Sequence, residues 1–232
     1  MTKRVANGEP LAYVIGHQPF GSISLEVRAP VLIPRPETEE WVMRLAEQVN
    51  AALSIDGPPF RILDLCTGSG CIALLLADQL KNTRRSCRIT ALDCDPTAIE
   101  LSNANVRRTS LPVDIVQADM FSDSDMAKYH NYDLVTCNPP YISSRDYSLL
   151  PRSVLAYESR NALVGQTTND GLDYYRRLAE LVNGHLLRQS NIRPRLVMEV
   201  GTGQSLEVLS LFKIPGKVWY DFAGHDRVVA ID

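Results

Sequence analysis

Arg61-Ile62-Leu63-Asp64-Leu65-Cys66-Thr67-Gly68-Ser69-Gly70-Cys71-Ile72-Ala73-Leu74 is the stretch that decides the fold. Arg61–Leu65 has the short apolar character of a buried strand, and Cys71–Leu80 the length and composition of a buried helix. The turn between them, Gly68-x-Gly70-x-x-Ala73, fits the dinucleotide fingerprint with alanine in its last place. Glycines there let backbone approach a ligand closely, and a helix start supplies free N–H groups. On its own the motif also fits a plain tight turn between strand and helix.

The same alternation continues down the chain. The pattern predicts strands at Arg88–Leu92, Asp114–Gln117, Tyr132–Cys137, Arg195–Val200, Lys217–Asp221 and Arg227–Ile231, with helices at Pro96–Thr109, Leu172–Asn183 and Gln204–Phe212. Asp95 is placed to cap the second helix, with Pro96 in its first turn. Such alternation implies a mostly parallel sheet covered on both faces, with the last strand antiparallel because no helix separates the final two. Upstream, Gln18–Phe20 and Ser22–Val27 flank Gly21 as a small hairpin, and a helix is expected from Pro36 or Glu37 to about Asn50. Residues 1–15 are expected to open on the end of a helix, 54–59 form a loop, and 143–166 form one long connection of the functional kind.

Asn138-Pro139-Pro140-Tyr141 follows the Tyr132–Cys137 strand, where open α/β sheets place their ligands. An amide or aryl amine nitrogen is a poor nucleophile because its lone pair is delocalised. Two acceptors on its two hydrogens, the Asn138 side-chain oxygen and the Pro139 carbonyl, would aim that lone pair at an electrophile. The prolines fix the shape of the turn, and Tyr141 offers a flat face for a planar group. On the opposite side of the site, Asp93 ends the second strand where a carboxylate accepts ribose hydroxyls, and Asp119-Met120 ends the third, where Asp119 is placed for an adenine amino group. Asp64 directly before the glycines would repel a pyrophosphate and attract an ammonium. That favours S-adenosylmethionine over NAD, and its sulfonium methyl is the electrophile the Asn-Pro-Pro-Tyr turn requires.

Composition sets bounds on the rest. The 232 residues, 45% hydrophobic, suffice for one α/β domain with a small appendage, and the net charge of −3 with pI near 5.8 argues against life on nucleic acid. Five scattered cysteines without C-x-x-C spacing suggest reduced thiols and no zinc site. No apolar run is long enough to span a bilayer, and no signal peptide is visible.

Six segments in this order resemble the protein-(glutamine-N5) methyltransferases that modify peptide-chain release factors, the HemK/PrmC family. They are Gly8-Glu9-Pro10-Leu11-Ala12-Tyr13, Leu32-Ile33-Pro34-Arg35-Pro36-Glu37-Thr38-Glu39, Asp64 to Gly70, Asn138-Pro139-Pro140-Tyr141-Ile142, Glu199-Val200-Gly201-x-x-Gln204 and Asp221-x-x-Gly224-x-x-Arg227. The resemblance implies a class I S-adenosylmethionine-dependent methyltransferase fold with a Rossmann-like seven-stranded sheet, and methylation of the Gly-Gly-Gln glutamine of a class I release factor. It implies a linker and hairpin over 1–36, the remnant of an N-terminal region, and a catalytic domain over 37–232. By the same resemblance, Cys66, Thr67, Gly68, Ser69 and Gly70 form the methionine-end loop, Asp93 binds ribose and Met120 lies by the adenine. Asn138 touches both donor and glutamine, Pro139, Pro140 and Tyr141 complete the glutamine slot, and Arg35, Glu37 and Thr38 belong to a flap over the donor. Arg35, preoriented between two prolines, could meet the donor's carboxylate. Glu199 and Gln204 are expected to support the site, and Glu158 and Arg160 to gate the substrate slot. Members of the family usually carry an N-terminal helical domain that helps grip the release factor, and this chain starts near the linker that would follow it.

The reading therefore expects a monomeric enzyme with no metal, membrane or direct nucleic-acid contact. Its location leans to the mitochondrial matrix, with the bacterial cytoplasm as the alternative. Its rivals are a nucleic-acid methyltransferase acting on adenine N6 or guanine N2, a ribosomal-protein glutamine methyltransferase, a dinucleotide oxidoreductase and an inactive interaction module.

Overall fold

The structure, a computed structural model, describes residues 2–54, 56–165 and 170–232. Two short helices, α1 (Thr2–Ala6) and α2 (Leu11–Ile15), lead into a hairpin of β1 (His17–Phe20) and β2 (Ile23–Glu26). Then follow α3 (Pro36–Ala52), β3 (Phe60–Leu65), α4 (Cys71–Leu80), β4 (Cys87–Asp93), α5 (Pro96–Thr109), β5 (Val113–Gln117), α6 (Asp123–Met126) and β6 (Leu134–Cys137). After β6 come α7 (Ser144–Tyr147), α8 (Arg152–Tyr157), a 3₁₀ turn (Arg160–Ala162) and α9 (Asp173–Asn183). The chain closes with β7 (Leu196–Glu199), α10 (Ser205–Ser210), β8 (Gly216–Tyr220) and β9 (Asp226–Ile231).

The main sheet has seven strands in the order β5-β4-β3-β6-β7-β9-β8, with β9 antiparallel to both of its neighbours and the other pairings parallel. Alternation along β3 divides the interior. Phe60 and Ile62 join a cluster with α3, α4 and the hairpin, whereas Leu63 and Leu65 join one with α9 and α10 on the opposite face. The strand order reverses between β3 and β6, whose register pairs Leu65 with Cys137. Cys66 and Asn138 therefore emerge side by side at the switch point, where a crevice opens beyond the strands' carboxyl ends.

The hairpin is part of the main core. Phe20 and Leu25 are fully enclosed there, and Asn105 on α5 ties the hairpin to the glycine turn. Its side chain accepts from Glu26 N–H (2.7 Å) and donates to the carbonyls of Glu26 (3.1 Å) and Ser69 (2.9 Å).

Most expected elements sit within one or two residues of their expected ends. The long connection after the key turn differs: over its described part, through Gly165, it is built rather than irregular. The Ser143 side chain caps α7 by accepting from Asp146 N–H, Pro151 opens α8, and Ile142 pairs with Val164. These short elements escape periodicity because one helical turn shows no repeat. Gln166, the far end of that connection, and Ile55 of the 54–59 loop lie outside the described residues. Among the described residues no helix is long and apolar enough to cross a membrane.

Candidate active site

Two cavities meet at Asn138. The first, about 790 Å³, lies over the β3 and β4 ends and is lined by Cys66, Gly68, Asp93, Asp119, Met120 and Pro140 among others. The second, about 600 Å³, lies on the far side of the Asn-Pro-Pro-Tyr turn and is lined by Arg35, Pro139, Tyr141, Ile142, Val154 and Glu199 with several apolar neighbours. Asn138 lines both, as do Leu32 and Ala162.

The chemistry of the first cavity selects its ligand. Its described lining contains three carboxylates, Asp93, Asp95 and Asp119, and no lysine, arginine or histidine. A pyrophosphate would meet only like charge there, whereas a sulfonium and an ammonium meet opposite charge. Gly68, at φ +56°, presents its backbone to open space, with nothing within 4 Å of where a Cβ would stand. Asp93 is held in place by Gly68 N–H (2.8 Å) and Asp95 N–H (2.9 Å), while Asp95 caps α5 through Thr97 N–H. Burial pushes the Asp93 carboxyl up, partly offset by those two bonds. Asp119 accepts from Phe121 N–H (2.9 Å), so it also shapes its own turn.

Cys66 takes a left-handed conformation (φ 57°) that favours glycine, and its sulfur lies 3.8 Å from the Met120 sulfur. The neighbouring Cys137 thiol and enclosure raise the Cys66 thiol well above its ordinary pKa.

Several residues expected to touch the donor stand behind the cavity. Asp64 is completely buried, lines neither cavity, and accepts the hydroxyls of Thr67 (2.6 Å) and Thr136 (2.7 Å). It braces the glycine turn rather than facing an ammonium across open space. Thr67 and Ser69 are buried as well, and Gly70 packs against Ser102 and Leu74. Arg35 lines the second cavity, and its guanidinium is taken by Glu158 at 2.6 and 2.8 Å. Glu37 lies outside both cavities, beside Trp41 and Arg44, because the helix turns it away from Thr38.

Thr38 is the buried link that orients Asn138. Its hydroxyl donates to Glu199 Oε2 (2.6 Å), leaving its oxygen to accept from Asn138 Nδ2 at 3.5 Å. The Asn138 NH₂ group faces Thr38, and its carbonyl oxygen is an acceptor. Trp41 Nε1 also donates to Glu199 Oε2 (3.0 Å), and the Tyr141 hydroxyl lies 3.4 Å from Oε1. Burial pushes the Glu199 carboxyl up, against the donors around it, and raises the Tyr141 hydroxyl so that it stays neutral. Gln204 supports the same turn by donating to the Tyr141 carbonyl (3.1 Å) and accepting from Gly201 N–H (2.9 Å).

Thr136, Trp41, Asn105 and Gly171 serve this site without having been singled out in the sequence. Only Gly171 carried a signal, a glycine just ahead of a predicted helix. At φ +73° a Cβ there would stand 2.3 Å from the Tyr141 carbonyl oxygen, which is backbone and cannot yield. Gly171→Ala is expected to destabilise the protein by about 3 kcal/mol or more and to weaken turnover, checked by chemical denaturation and rate on one preparation.

Asp64 gives a pH prediction. Burial raises its carboxyl to about 7 despite the two hydroxyl bonds. The folded state then binds a proton that the unfolded chain has released, so stability falls as pH rises from about 4 to about 7 and levels off above. Asp64→Asn removes this slope, and melting temperatures of both proteins across that range should converge toward low pH in proportion to the proton bound. Parallel pH profiles for the two proteins would contradict it.

Comparison with known proteins agrees with this geometry. Residues 46–167 match the family described as Methyltransferase small domain. The Release factor glutamine methyltransferase of Rhodopirellula baltica is 33% identical over 238 residues, covering 100% of this chain and 76% of that protein. The probable MRF1 mitochondrial N(5)-glutamine methyltransferase mtq1 of Schizosaccharomyces pombe is 34% identical, covering 97% and 76%. Among solved structures, the hMettl16 catalytic domain in complex with a MAT2A 3'UTR hairpin superposes with a TM-score of 0.64 at 18% identity, covering 96% of this chain and 79% of that one. The last likeness is one of fold alone, whereas the two relatives match along nearly the whole sequence. Sheet, donor cavity and relatives together make this an S-adenosylmethionine-dependent enzyme, and the chain belongs to the release factor glutamine methyltransferases.

Proposed function

We propose that this chain methylates the side-chain amide nitrogen of the Gly-Gly-Gln glutamine in a class I release factor, with Asn138 at the point of transfer. The observation that carries it is the position of Asn138 on the boundary of two cavities, with its NH₂ group toward Thr38. One cavity takes S-adenosylmethionine and the other takes the glutamine side chain.

When bound, the donor supplies an electrophilic methyl group. Asn138 Oδ1 and the Pro139 carbonyl accept the two amide hydrogens of the glutamine and hold its nitrogen lone pair toward that methyl. The new C–N bond forms as the C–S bond breaks, S-adenosylhomocysteine leaves, and the cationic amide then releases a proton to solvent. Since that cation is strongly acidic, no side chain has to remove a proton before attack. Positioning of this kind supplies about 7–11 kcal/mol. Asp93 would hold the ribose, Cys66 and Gly68 the methionine end, and Asp119 and Met120 the adenine. Pro140 lines the donor side of the turn, while Pro139 and Tyr141 line the glutamine side.

In this reading residues 1–36 are a linker and hairpin fused to the catalytic domain of 37–232. The chain is read as a monomer. The pI near 5.8 supports a protein substrate over bare nucleic acid. The Schizosaccharomyces pombe relative supports a mitochondrial location, and bacterial relatives of similar identity keep the bacterial cytoplasm as the other reading. The test is incubation with labelled S-adenosylmethionine and unmodified release factor, followed by peptide mass analysis. Label on the Gly-Gly-Gln glutamine is expected, and label only on added RNA or DNA would overturn the proposal.

A further inference from the structure

Arg35 and Glu158 are separated by 123 positions in the chain and joined by two short hydrogen bonds, at 2.8 and 2.6 Å, both from one guanidinium nitrogen. The Glu158 side chain is 1% exposed. A carboxylate that deeply enclosed needs its partner, because an unpaired buried charge is costly. The pair joins the segment that carries Leu32 to the one that carries Ala162, and both of those residues line both cavities. A second tie, Ser159 N–H to the Pro30 carbonyl (2.7 Å), runs beside it.

Each partner also leads to the reacting turn. Arg35 is the N-cap of α3, whose first turn carries Thr38, the residue that orients Asn138. From Glu158 the chain runs to Leu163, whose carbonyl accepts from Ile142 N–H (2.9 Å) directly after Asn-Pro-Pro-Tyr, and Gly165 N–H donates back to the Ile142 carbonyl (3.1 Å). Outside these bonds the Arg35 segment rests on a satellite cluster of Tyr13, Val27 and Ile33 with Tyr157, separate from the main core. Tyr13 anchors it further by donating to the Val31 carbonyl (2.7 Å). Val31 of the same segment packs in a second small cluster with Ala98 and Leu101, so the apolar support of this wall lies in two small clusters outside the main core, and the buried ion pair is its charged tie to the Glu158 segment.

We infer that Glu158 is a positioning residue of this methyltransferase: by clamping Arg35 it sets the wall shared by the donor cavity and the glutamine slot, and so governs affinity for both. The inference rests on the assignment of the two cavities above. It gives Arg35 a part in donor binding without direct contact to the donor's carboxylate.

The variants are Glu158→Gln, which keeps shape and removes charge, Arg35→Met, which removes the cation, and Arg35→Lys. Because one nitrogen makes both bonds, a lysine ammonium can replace it in kind. The first readout is calorimetric binding of S-adenosylhomocysteine to the purified chain, with no protein substrate present. Glu158→Gln and Arg35→Met should each bind about tenfold more weakly, the size of one charge-assisted hydrogen bond, and Arg35→Lys within about threefold of wild type. The second readout is steady-state methylation of the release factor. KM for the protein should rise about tenfold in the first two variants while kcat at saturation stays within about threefold, a split that a general loss of folding would not give. Donor affinity unchanged in Glu158→Gln and Arg35→Met, or Arg35→Lys as weak as Arg35→Met, overturns the inference. If Glu158→Gln does not fold, the Met and Lys pair at Arg35 decides alone. A wild type that binds donor yet leaves release factors unmodified overturns the functional proposal, and the first readout still tests the clamp.

Discussion

Asn138→Ala is expected to lower kcat by about 10²–10³, the usual cost of losing one preorganised hydrogen-bonding group at a reacting centre. The fold should survive, since the Asn138 side chain spans the boundary of two cavities and holds no core. Among the described residues its side chain makes one bond, a long one to Thr38. Donor affinity should change little, because Cys66, Gly68 and Asp93 are untouched, so the loss should concentrate in kcat and not in KM for the donor. Single-turnover rates with labelled donor separate the chemical step from binding. A folded, donor-bound Asn138→Ala protein with wild-type turnover would remove the basis of the transfer mechanism.

Glu199→Ala is expected to have the largest effect on stability. Its carboxylate receives the Thr38 hydroxyl and the Trp41 indole N–H, with the Tyr141 hydroxyl near its second oxygen, all in a site that is 2% exposed. Alanine would leave these groups enclosed without a partner and open a cavity beneath the turn. The expected cost is about 3–5 kcal/mol, read from the midpoint of urea unfolding at constant slope. Turnover should fall about 10²-fold in the protein that remains folded, because Thr38 no longer fixes which way Asn138 points. Trp41→Phe, which removes one donor and keeps most of the volume, should cost only about 1 kcal/mol. Equal effects of the two substitutions would mean that Glu199 is not the hub described here.

The parts of the site legible from sequence were those whose chemistry depends on chain order. Gly68 and Gly70 sit at the first strand-to-helix turn, Asp93 ends the next strand, and Asn138 to Tyr141 follow the strand that borders the first. In each case position along an alternating strand–helix pattern already fixes position in space. Residues whose role depends on meeting a distant partner were legible in type but not in action. Asp64 is an acid beside the glycine turn, and only the fold reveals that Thr136 closes over it. Arg35 is a cation near the donor, and only the fold delivers Glu158 to it. Glu37 and Thr38 are adjacent, yet the turn of α3 sends one to the outer surface and the other beneath Asn138.

By itself, the order of residues determined seven strands alternating with helices in a mostly parallel sheet, and placed the glycine turn and Asn-Pro-Pro-Tyr just beyond the ends of two of those strands. Each follows from periodicity or from neighbours a few residues apart. Tertiary structure alone decided which way Asn138 faces, which carboxylates line the donor cavity and which lie beneath it, and that two cavities share a wall clamped by Arg35 and Glu158. The physical reason is range. Backbone preferences act over a few residues, whereas a buried carboxylate takes whatever donor the packed core brings within 3 Å, from 161 positions away in the case of Thr38 and Glu199.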